Sequence, residues 1–336
     1  MANKRIGQRT FSFNGEVRVI ASAAVGGPKE GEGLLQKELD HIYPDNYAGQ
    51  DSWEKAEQKM MEDAVDHAVK KASLSNDQVD LFLAGDLLNQ NISASFTART
   101  HQIPLMGMFG ACSASMLTLT TGAVLVEAGF CNTAVVAASS HNCTAERQYR
   151  YPTEYGGQKP DTAQWTVTGS GAAILGKKGS GPRVRFATIG KVVDMGLKNP
   201  FDMGSAMAPA AVDTIEAHFK DTGREPKDYD LIVTGDLASV GHPIASQLLA
   251  ERGYDMGKNF RDCGLMIYTE DQQSFAGGSG CASSALVTYS HLIDEMKRGN
   301  LSRLMIVATG ALMNPVSYQQ GESIPCVAHA VTLEMD

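Results

Sequence analysis

The sequence has no run of lysine or arginine, and its 29 basic and 38 acidic residues give a formal net charge of −9. Binding to the phosphate backbone of nucleic acid needs clustered positive charge, so we expect no nucleic-acid partner. Any anionic ligand needs a local positive pocket. Only 20% of the 336 residues are charged, whereas 43% are apolar and 34 are glycine. This composition is typical of an α/β protein with a large core and many tight strand-to-helix turns.

The sequence also lacks the apolar segments that mark secretion or membrane insertion. Its first residues, MANKRIGQRTFSF, contain no apolar core of the kind found in a signal peptide. No later segment reaches about 18 uninterrupted apolar residues, the length that spans a membrane. We therefore expect a protein made in the cytoplasm without a transmembrane helix, which would dock on a membrane only through partners.

Paired cysteine motifs are absent as well. The six cysteines are scattered and form no CxxC pair: Cys112, Cys131, Cys143, Cys263, Cys281 and Cys326. This spacing supports neither a zinc site nor a disulfide framework. We expect reduced thiols, no metal site and no cofactor.

Cys112 stands in the most informative motif, FGACSAS, between an extended stretch at residues 103–109 and an apolar stretch at 116–128. The order of strand, small-residue turn, thiol and buried helix predicts a cysteine at a helix N-terminus. The positive end of the helix dipole would lower the pKa of that thiol, which suits a nucleophile. The alternative is a small buried cysteine that only packs tightly.

The chain also contains a faint internal repeat. Segments 81–91, 109–128 and 131–141 correspond to segments 231–241, 275–296 and 301–312. Each copy reads as strand, Gly-Asp-Leu, a small-residue turn with cysteine, a buried helix and a strand, which predicts two related halves. We place them at residues 1–178 and 183–336, joined by the linker KKGSGP. Before the first copy, residues 52–74 predict an amphipathic helix capped by Ser52.

These motifs, followed by TGSGAAILG at residues 168–176, resemble the thiolase-like superfamily and in particular its ketoacyl synthase III branch. Longer segments resemble the stage V sporulation protein AD family over about residues 25–333: AGDLLNQN, FGACSAS, AERQYRYPTEYGGQKPDTA, DMGSAMAPAA, DCGLMIYTEDQQSFAGGSGCA, VATGAL and ESIPCVAHAV. The superfamily resemblance implies an α/β fold in duplicated α-β-α-β-α layers, with pseudo-twofold-related halves and a homodimer.

The family resemblance also implies a function. It suggests a subunit that binds dipicolinic acid, alone or with calcium, in the spore complex that moves this compound during sporulation and germination. The implied location is peripheral, on the spore inner membrane, beside the other membrane proteins of that complex.

The same resemblance implies a site without catalysis. Ketoacyl synthase III enzymes pair their cysteine with a histidine and an asparagine. In this sequence the histidine position falls at Gly235 or Asp236, and the asparagine position falls near Gly278. We therefore expect a protein that is not an enzyme, with Cys112 as a vestigial nucleophile.

Two other functions stay open. One is an acyltransferase in which His141 or His242 activates the thiol of Cys112, and the other is a purely structural subunit with a vestigial pocket. His242 is ambiguous, since the sequence Gly-His-Pro also fits a loop histidine with Pro243 in the first turn of the next helix.

Dipicolinate carries two carboxylates on a flat aromatic ring, so its site needs cationic or N–H donors, a stacking surface and acceptors for an accompanying Ca²⁺. Segment position and resemblance together predict these ligand-binding residues: Cys112, Ser113, Asp86, Gln90, His141, Arg147, Lys159, Asp236, Gly277, Gly278 and Cys281.

The predicted roles differ by residue type. The helix N-termini at Ser113 and Ser283 would offer backbone N–H groups. Arg147, Arg150 and Lys159 would supply cations, and Tyr151 and Tyr155 would stack on the ring, unless this loop is solvated or part of a subunit interface.

The two acidic residues at equivalent points of the repeat have two interpretations. Asp86 and Asp236 would accept a bond from the ligand or help hold its metal, unless each caps the following helix. Gly277 and Gly278 would widen the pocket at the position of the asparagine.

Overall fold

The computed structural model describes residues 4–14, 16–149 and 159–336. The chain opens with β1 (Arg5–Ile6), β2 (Thr10–Ser12), β3 (Arg18–Gly26), α1 (Pro28–Gly31), β4 (His41–Ile42), α2 (Trp53–Lys71) and β5 (Leu81–Gly85). It continues with α3 (Ile92–His101), β6 (Leu105–Gly107), α4 (Ala114–Ala128), β7 (Thr133–Ser140), α5 (Asn142–Tyr149), β8 (Trp165–Thr166) and β9 (Gly169–Gly176).

The remaining elements follow the loop at residues 177–182. They begin with β10 (Arg183–Thr188), α6 (Met203–Thr222), β11 (Leu231–Thr234), α7 (Ala238–Glu251), β12 (Phe260–Asp262) and β13 (Gly278–Ser279). Then come α8 (Cys281–Leu286), a π-helical turn (Val287–Leu292), α9 (Ile293–Lys297), β14 (Arg303–Ala311), α10 (Pro315–Gln319) and β15 (Cys326–Glu334).

Two sets of five strands share one topology. The first has the spatial order β6-β5-β7-β9-β3, and the second has the order β12-β11-β14-β15-β10. In each set the first three strands are parallel and the last two pairings are antiparallel. Within the described residues, the two sets are joined by strand pairing at one point, where Arg183 of β10 pairs with Arg18 of β3. The division into domains 1–178 and 183–336 stays a prediction.

Helices cover both faces of each set. α4 contacts β5 and β7 of the first set and β14 and β15 of the second, so it lies between them together with α8. α2 packs on β3, β7 and β9, and α6 packs on β14 and β15. Successive residues of β7 alternate between the central core and the core under α2, as the two-residue period of a strand requires. The order helix, sheet, helix, sheet, helix confirms the predicted fold class.

The amphipathic helix and its cap are confirmed. α2 begins after Ser52, whose side chain accepts the backbone N–H of Lys55. Its buried stripe includes Ala56, Met60 and Ala64, which lie one turn apart and face the sheet.

In the described part of the chain, one helical segment has the length and composition of a membrane span, contrary to the expectation from the sequence. Residues 111–128 are long and apolar enough to cross a membrane by length and composition, but 67% of them are buried inside the structure. This is the burial of a core helix, because α4 lies between the two sets of strands.

The structure corrects the loop interpretation of His242. α7 begins at Ala238, so His242 and Pro243 lie inside this helix and not at its start. The His242 ring stacks on Phe260, with ring centroids 4.4 Å apart.

Candidate ligand-binding site

Cys112 lies in a tight helical turn, Ala111–Ser113, that leads directly into α4. Ala111 adopts a left-handed backbone with φ of 48°, which costs a residue with a side chain of the order of 1 kcal/mol or more. The backbone N–H and the hydroxyl of Ser113 both donate to the carbonyl of Gly110, at 3.1 and 2.6 Å. Two donors at this helix start are therefore used inside the turn.

A cavity of about 30 Å³ lies against the Cys112 thiol. Its lining residues come from α5, α6, β8, β13, the end of β14, the turn before α4 and the loops beside them: Leu87, Ala111, Cys112, Ala145, Tyr149, Thr166, Met203, Ser279, Gly280, Ala311 and Met313. Most are apolar, and none of the described lining residues is a lysine, arginine or histidine. The Ser279 hydroxyl is buried and has no hydrogen-bond partner among the described residues.

Asp236 lies directly behind this lining and is buried. Its carboxyl accepts the Thr309 hydroxyl at 2.5 Å and the Gly280 N–H at 3.1 Å, and it lies within hydrogen-bonding reach of Cys112. Burial and the nearby Asp262 carboxyl raise the pKa of Asp236 from its usual 3.8 to about 7, against the lowering effect of those donors.

The Asp236 carboxyl also contributes to the protonation state of the Cys112 thiol. Burial, the Asp236 charge and the neighbouring Cys281 raise the pKa of Cys112 well above its usual value, although the Gly280 backbone lowers it. The expectation of a thiol activated by the helix dipole is therefore wrong, because desolvation and a nearby acid outweigh the dipole. At neutral pH Cys112 is a protonated thiol.

Neither candidate base is available to Cys112. The Nε2–H of His141 donates to the carbonyl of Asn46 at 2.8 Å, and its Nδ1 accepts the N–H of Cys143 at 3.1 Å. Burial lowers the pKa of His141 to about 4, so the ring is neutral and serves the backbone. His242 lies in α7, outside the cavity lining, and burial lowers its pKa as well.

Asp86, the repeat equivalent of Asp236, holds a loop. Its two carboxylate oxygens accept the N–H groups of Leu88 and Ala94, each at 2.9 Å, and the second bond caps the start of α3. Glu57 is buried beside it and accepts the hydroxyls of Ser139 and Thr144. Burial raises the pKa of both acids.

The two predicted cations among the described residues, Arg147 and Lys159, do not line the cavity. Thr166 of β8 reaches the cavity, whereas the adjacent Trp165 faces the other side of this strand, where the Lys159 ammonium lies 5.4 Å from its ring centroid. Lys159 pairs with Glu146 at 2.8 Å. Arg147 pairs with Glu54 at the surface. The predicted residues Arg150, Tyr151 and Tyr155 lie outside the described residues.

The other predicted residues are spread around the site. The Cys281 thiol donates to the carbonyl of Ala111 at 3.1 Å, so it lies behind the turn that holds Cys112. Gln90 is exposed on the loop after β5. Gly277 and Gly278 connect β13 to β8 through Trp165 and stay outside the lining. The next two residues, Ser279 and Gly280, reach the cavity instead.

Sequence reasoning missed most of the lining. Ser279 could have been predicted, because it directly follows Gly278 and a shift of one residue in the alignment would have placed it in the site. Leu87, Thr166 and Met313 carried no signal, since apolar residues and a single threonine match no chemical motif.

The comparison with solved structures defines the class of fold. A 3-oxoacyl-[acyl-carrier-protein] synthase III from Aquifex aeolicus superposes with a TM-score of 0.56 at 13% identity, over 95% of this chain and 99% of that one. An OleA variant from Xanthomonas campestris gives 0.62 at 14% identity, over 96% and 97%. The protein therefore has the thiolase-like fold of the ketoacyl synthase III enzymes.

Sequence comparison identifies the family within this class. The family model of stage V sporulation protein AD matches residues 7–334. Stage V sporulation protein AD of Bacillus subtilis (strain 168) is 54% identical over 331 residues, which cover 98% of each chain. The chain belongs to the stage V sporulation protein AD family and is a sporulation protein.

Proposed function

We propose that this protein is the subunit that binds dipicolinic acid in the spore transport complex, and that it acts without catalysis in uptake during sporulation and release in germination. The observation that carries the proposal is the cavity beside Cys112. Asp236 lies within hydrogen-bonding reach of Cys112, Ser279 lines the cavity, and the described lining includes neither the histidine nor the asparagine that a condensing enzyme needs. The protonated thiol with these neighbours suits the holding of a ligand rather than acyl transfer.

The cavity has to enlarge to take an aromatic dicarboxylate. A cavity needs on the order of 10–15 Å³ for each water molecule, so about 30 Å³ holds only about two or three waters. Met203 and Met313 line the cavity and are buried, and Tyr149 beside them is half-buried. Methionine adopts many rotamers at low cost, so we expect these side chains to move on binding.

The donors around the cavity are neutral. Thr166 and Ser279 offer hydroxyls, and the described lining has no cationic side chain to neutralise two carboxylates. A proton or an accompanying Ca²⁺ would supply the missing positive charge.

Titration calorimetry tests the proposal. We expect binding heat with dipicolinate, with and without Ca²⁺, and a weaker signal with benzene-1,3-dicarboxylate, which has the same shape but no ring nitrogen. Met313→Trp would fill the cavity and abolish the heat. Met313→Leu conserves side-chain volume and is the matched control, with binding kept. No heat from the wild-type protein at millimolar dipicolinate would refute the proposal.

The acyltransferase alternative is tested on the thiol itself. If Cys112 were a nucleophile, incubation with an acyl-CoA would add an acyl group to the intact protein, and Cys112→Ala would remove the adduct. We expect no adduct in intact-protein mass spectrometry, because the thiol is protonated and His141 bonds the backbone.

We also propose a homodimer through the β6 edge. In the described sheet β6 is the last strand, and Met106 and Phe109 beside it are 42% and 51% exposed. An apolar, unpaired strand edge favours pairing with a second copy. Met106→Lys should convert a dimer to a monomer in analytical ultracentrifugation, whereas Phe130→Lys, at an exposed site after α4, should not. A wild-type monomer would refute this part.

We also propose that partner proteins hold this protein at the membrane. Among the described residues, the segment long enough to span a membrane, 111–128, is mostly buried in the core. Contact with other membrane proteins of the complex would therefore hold the protein at the spore inner membrane. Fractionation of spores that lack those proteins should move it to the soluble fraction. Persistence in the membrane fraction would contradict this route.

A further inference from the structure

We propose that Asp236 makes the cavity selective for a neutralised ligand: free dipicolinate is bound together with one proton that Asp236 takes up, whereas the calcium chelate is bound without it. This inference rests on the proposed function. It adds the chemical form in which the site accepts its ligand and the residue that determines this form.

The position of Asp236 is the first support. Its carboxyl accepts the Gly280 N–H and lies within hydrogen-bonding reach of the Cys112 thiol. Both Gly280 and Cys112 line the cavity. Only this lining separates a ligand in the cavity from the carboxyl. The interaction between two charges across such a short, buried distance is strong, because little water screens it.

The second support is that no cation among the described residues faces Asp236. The titratable groups that face Asp236 are the thiols Cys112, Cys263, Cys281 and Cys326 and the Asp262 carboxyl. Burial raises the pKa of each thiol, so they are neutral at pH 7.

Asp262, the other acid in this group, is stabilised by hydrogen bonds from its own surroundings. It accepts Thr234 and two backbone N–H groups and lies near the His242 ring. In the described part of the chain, a bound dianion therefore meets an acid and neutral thiols rather than a positive charge.

The direction of the effect follows from linkage. Asp236 has a pKa of about 7 in the free protein, and a bound anion raises it further. Between these two pKa values binding takes up a proton, so the affinity for free dipicolinate falls as pH rises above about 7. At pH 8 the penalty is about tenfold, since about nine in ten Asp236 carboxyls must first be protonated. The neutral chelate carries no such penalty.

Calorimetry in buffers of different ionisation enthalpy counts the protons. At pH 8 we expect wild-type protein to take up close to one proton with free dipicolinate and none with its calcium chelate. Asp236→Asn should take up none with either form. It should also bind free dipicolinate about tenfold more tightly than wild type at pH 8 and equally well at pH 6.

Thr309→Val separates this role from a structural one. Thr309 donates to Asp236 and lies outside the cavity lining, so its loss removes a bond that favours the ionised carboxyl. We expect the midpoint of the affinity–pH curve to move upward while the affinity at pH 6 is unchanged. A residue needed only for folding would not move this midpoint.

The outcomes are distinguishable. If wild-type protein gives no heat with dipicolinate at any pH, the proposed function fails. If it binds without proton uptake, or if Asp236→Asn still takes up a proton, only the present inference is overturned. An unmoved midpoint in Thr309→Val overturns it too.

Discussion

Asp86 and Asp236 follow equivalent strands of the two halves, yet their carboxyl groups bond to different partners. Asp86 accepts the backbone N–H groups of its own loop, at Leu88 and Ala94. In the second half Asp262, from β12, accepts the corresponding loop N–H groups of Leu237 and Ala238, at 2.8 and 3.0 Å. Asp236 is thereby free to face Cys112. A repeated backbone topology does not fix side-chain roles, and the site arises where the halves depart from each other.

The two cysteine turns show the same pattern of shared backbone and different side chains. The residue before each cysteine has a left-handed backbone, with φ of 48° at Ala111 and 93° at Gly280. A Cβ at Gly280 would lie 2.7 Å from Ser140 Oγ. That hydroxyl cannot retreat freely, because it donates to Val167 and accepts from Ala282. At the position directly before the cysteine, therefore, only the second turn requires glycine for space.

The largest loss of stability that we expect comes from exchanging these two residues. Gly280→Ala adds both the overlap with Ser140 and backbone strain, and should lower the free energy of unfolding by about 3 kcal/mol. Ala111→Gly relieves strain but adds chain entropy to the unfolded state, so its effect should stay within about 1 kcal/mol. Urea denaturation of both variants measures the contrast, and equal losses would contradict the packing difference between the turns.

Substitutions of the two aspartates should change the free energy of unfolding in opposite directions. Asp86→Ala leaves two loop N–H groups without an acceptor and should lower the free energy of unfolding by about 2 kcal/mol. Asp236→Asn should raise it at pH 8, because the folded protein no longer holds a buried charge there. The rise in the pKa of Asp236 from 3.8 to about 7 limits this gain to about 4 kcal/mol.

The pH dependence provides the control for this pair. The folded protein binds the Asp236 proton more tightly than the unfolded chain, so the wild type loses stability as pH rises from about 4 to about 7. The advantage of Asp236→Asn should therefore be full above pH 7 and vanish toward pH 4. Denaturation curves that show the same advantage at pH 4 and pH 8 would rule out a charge effect.

Much of the fold could be predicted from the sequence, because its signals are local. The Ser52 cap, the apolar runs of the central strands and the repeated Gly-Asp-Leu each depend on neighbouring residues. The tight turn and buried helix around Cys112 followed from the same kind of pattern.

The chemistry of the site could not be predicted in the same way, because it depends on distant partners. The side chain of Asp236 faces Cys112 only because Asp262, 26 residues further along, takes the loop N–H groups. The pKa of Cys112 follows from burial and from Asp236, and neither is visible in the motif FGACSAS. Lys159 falls outside the cavity because β8 presents Thr166, and not Trp165, to that side.

The smallest change in stability that we expect comes from a hydrogen bond between the two halves. Ser115 of α4 and Ser284 of α8 share a buried hydrogen bond of 2.6 Å. Ser115→Ala or Ser284→Ala alone leaves a buried hydroxyl without its partner and should lower the free energy of unfolding by about 1 kcal/mol. The double variant should cost less than the sum, since it leaves neither hydroxyl unpaired. Additive losses in a double-mutant cycle would show that the two serines stabilise their helices independently.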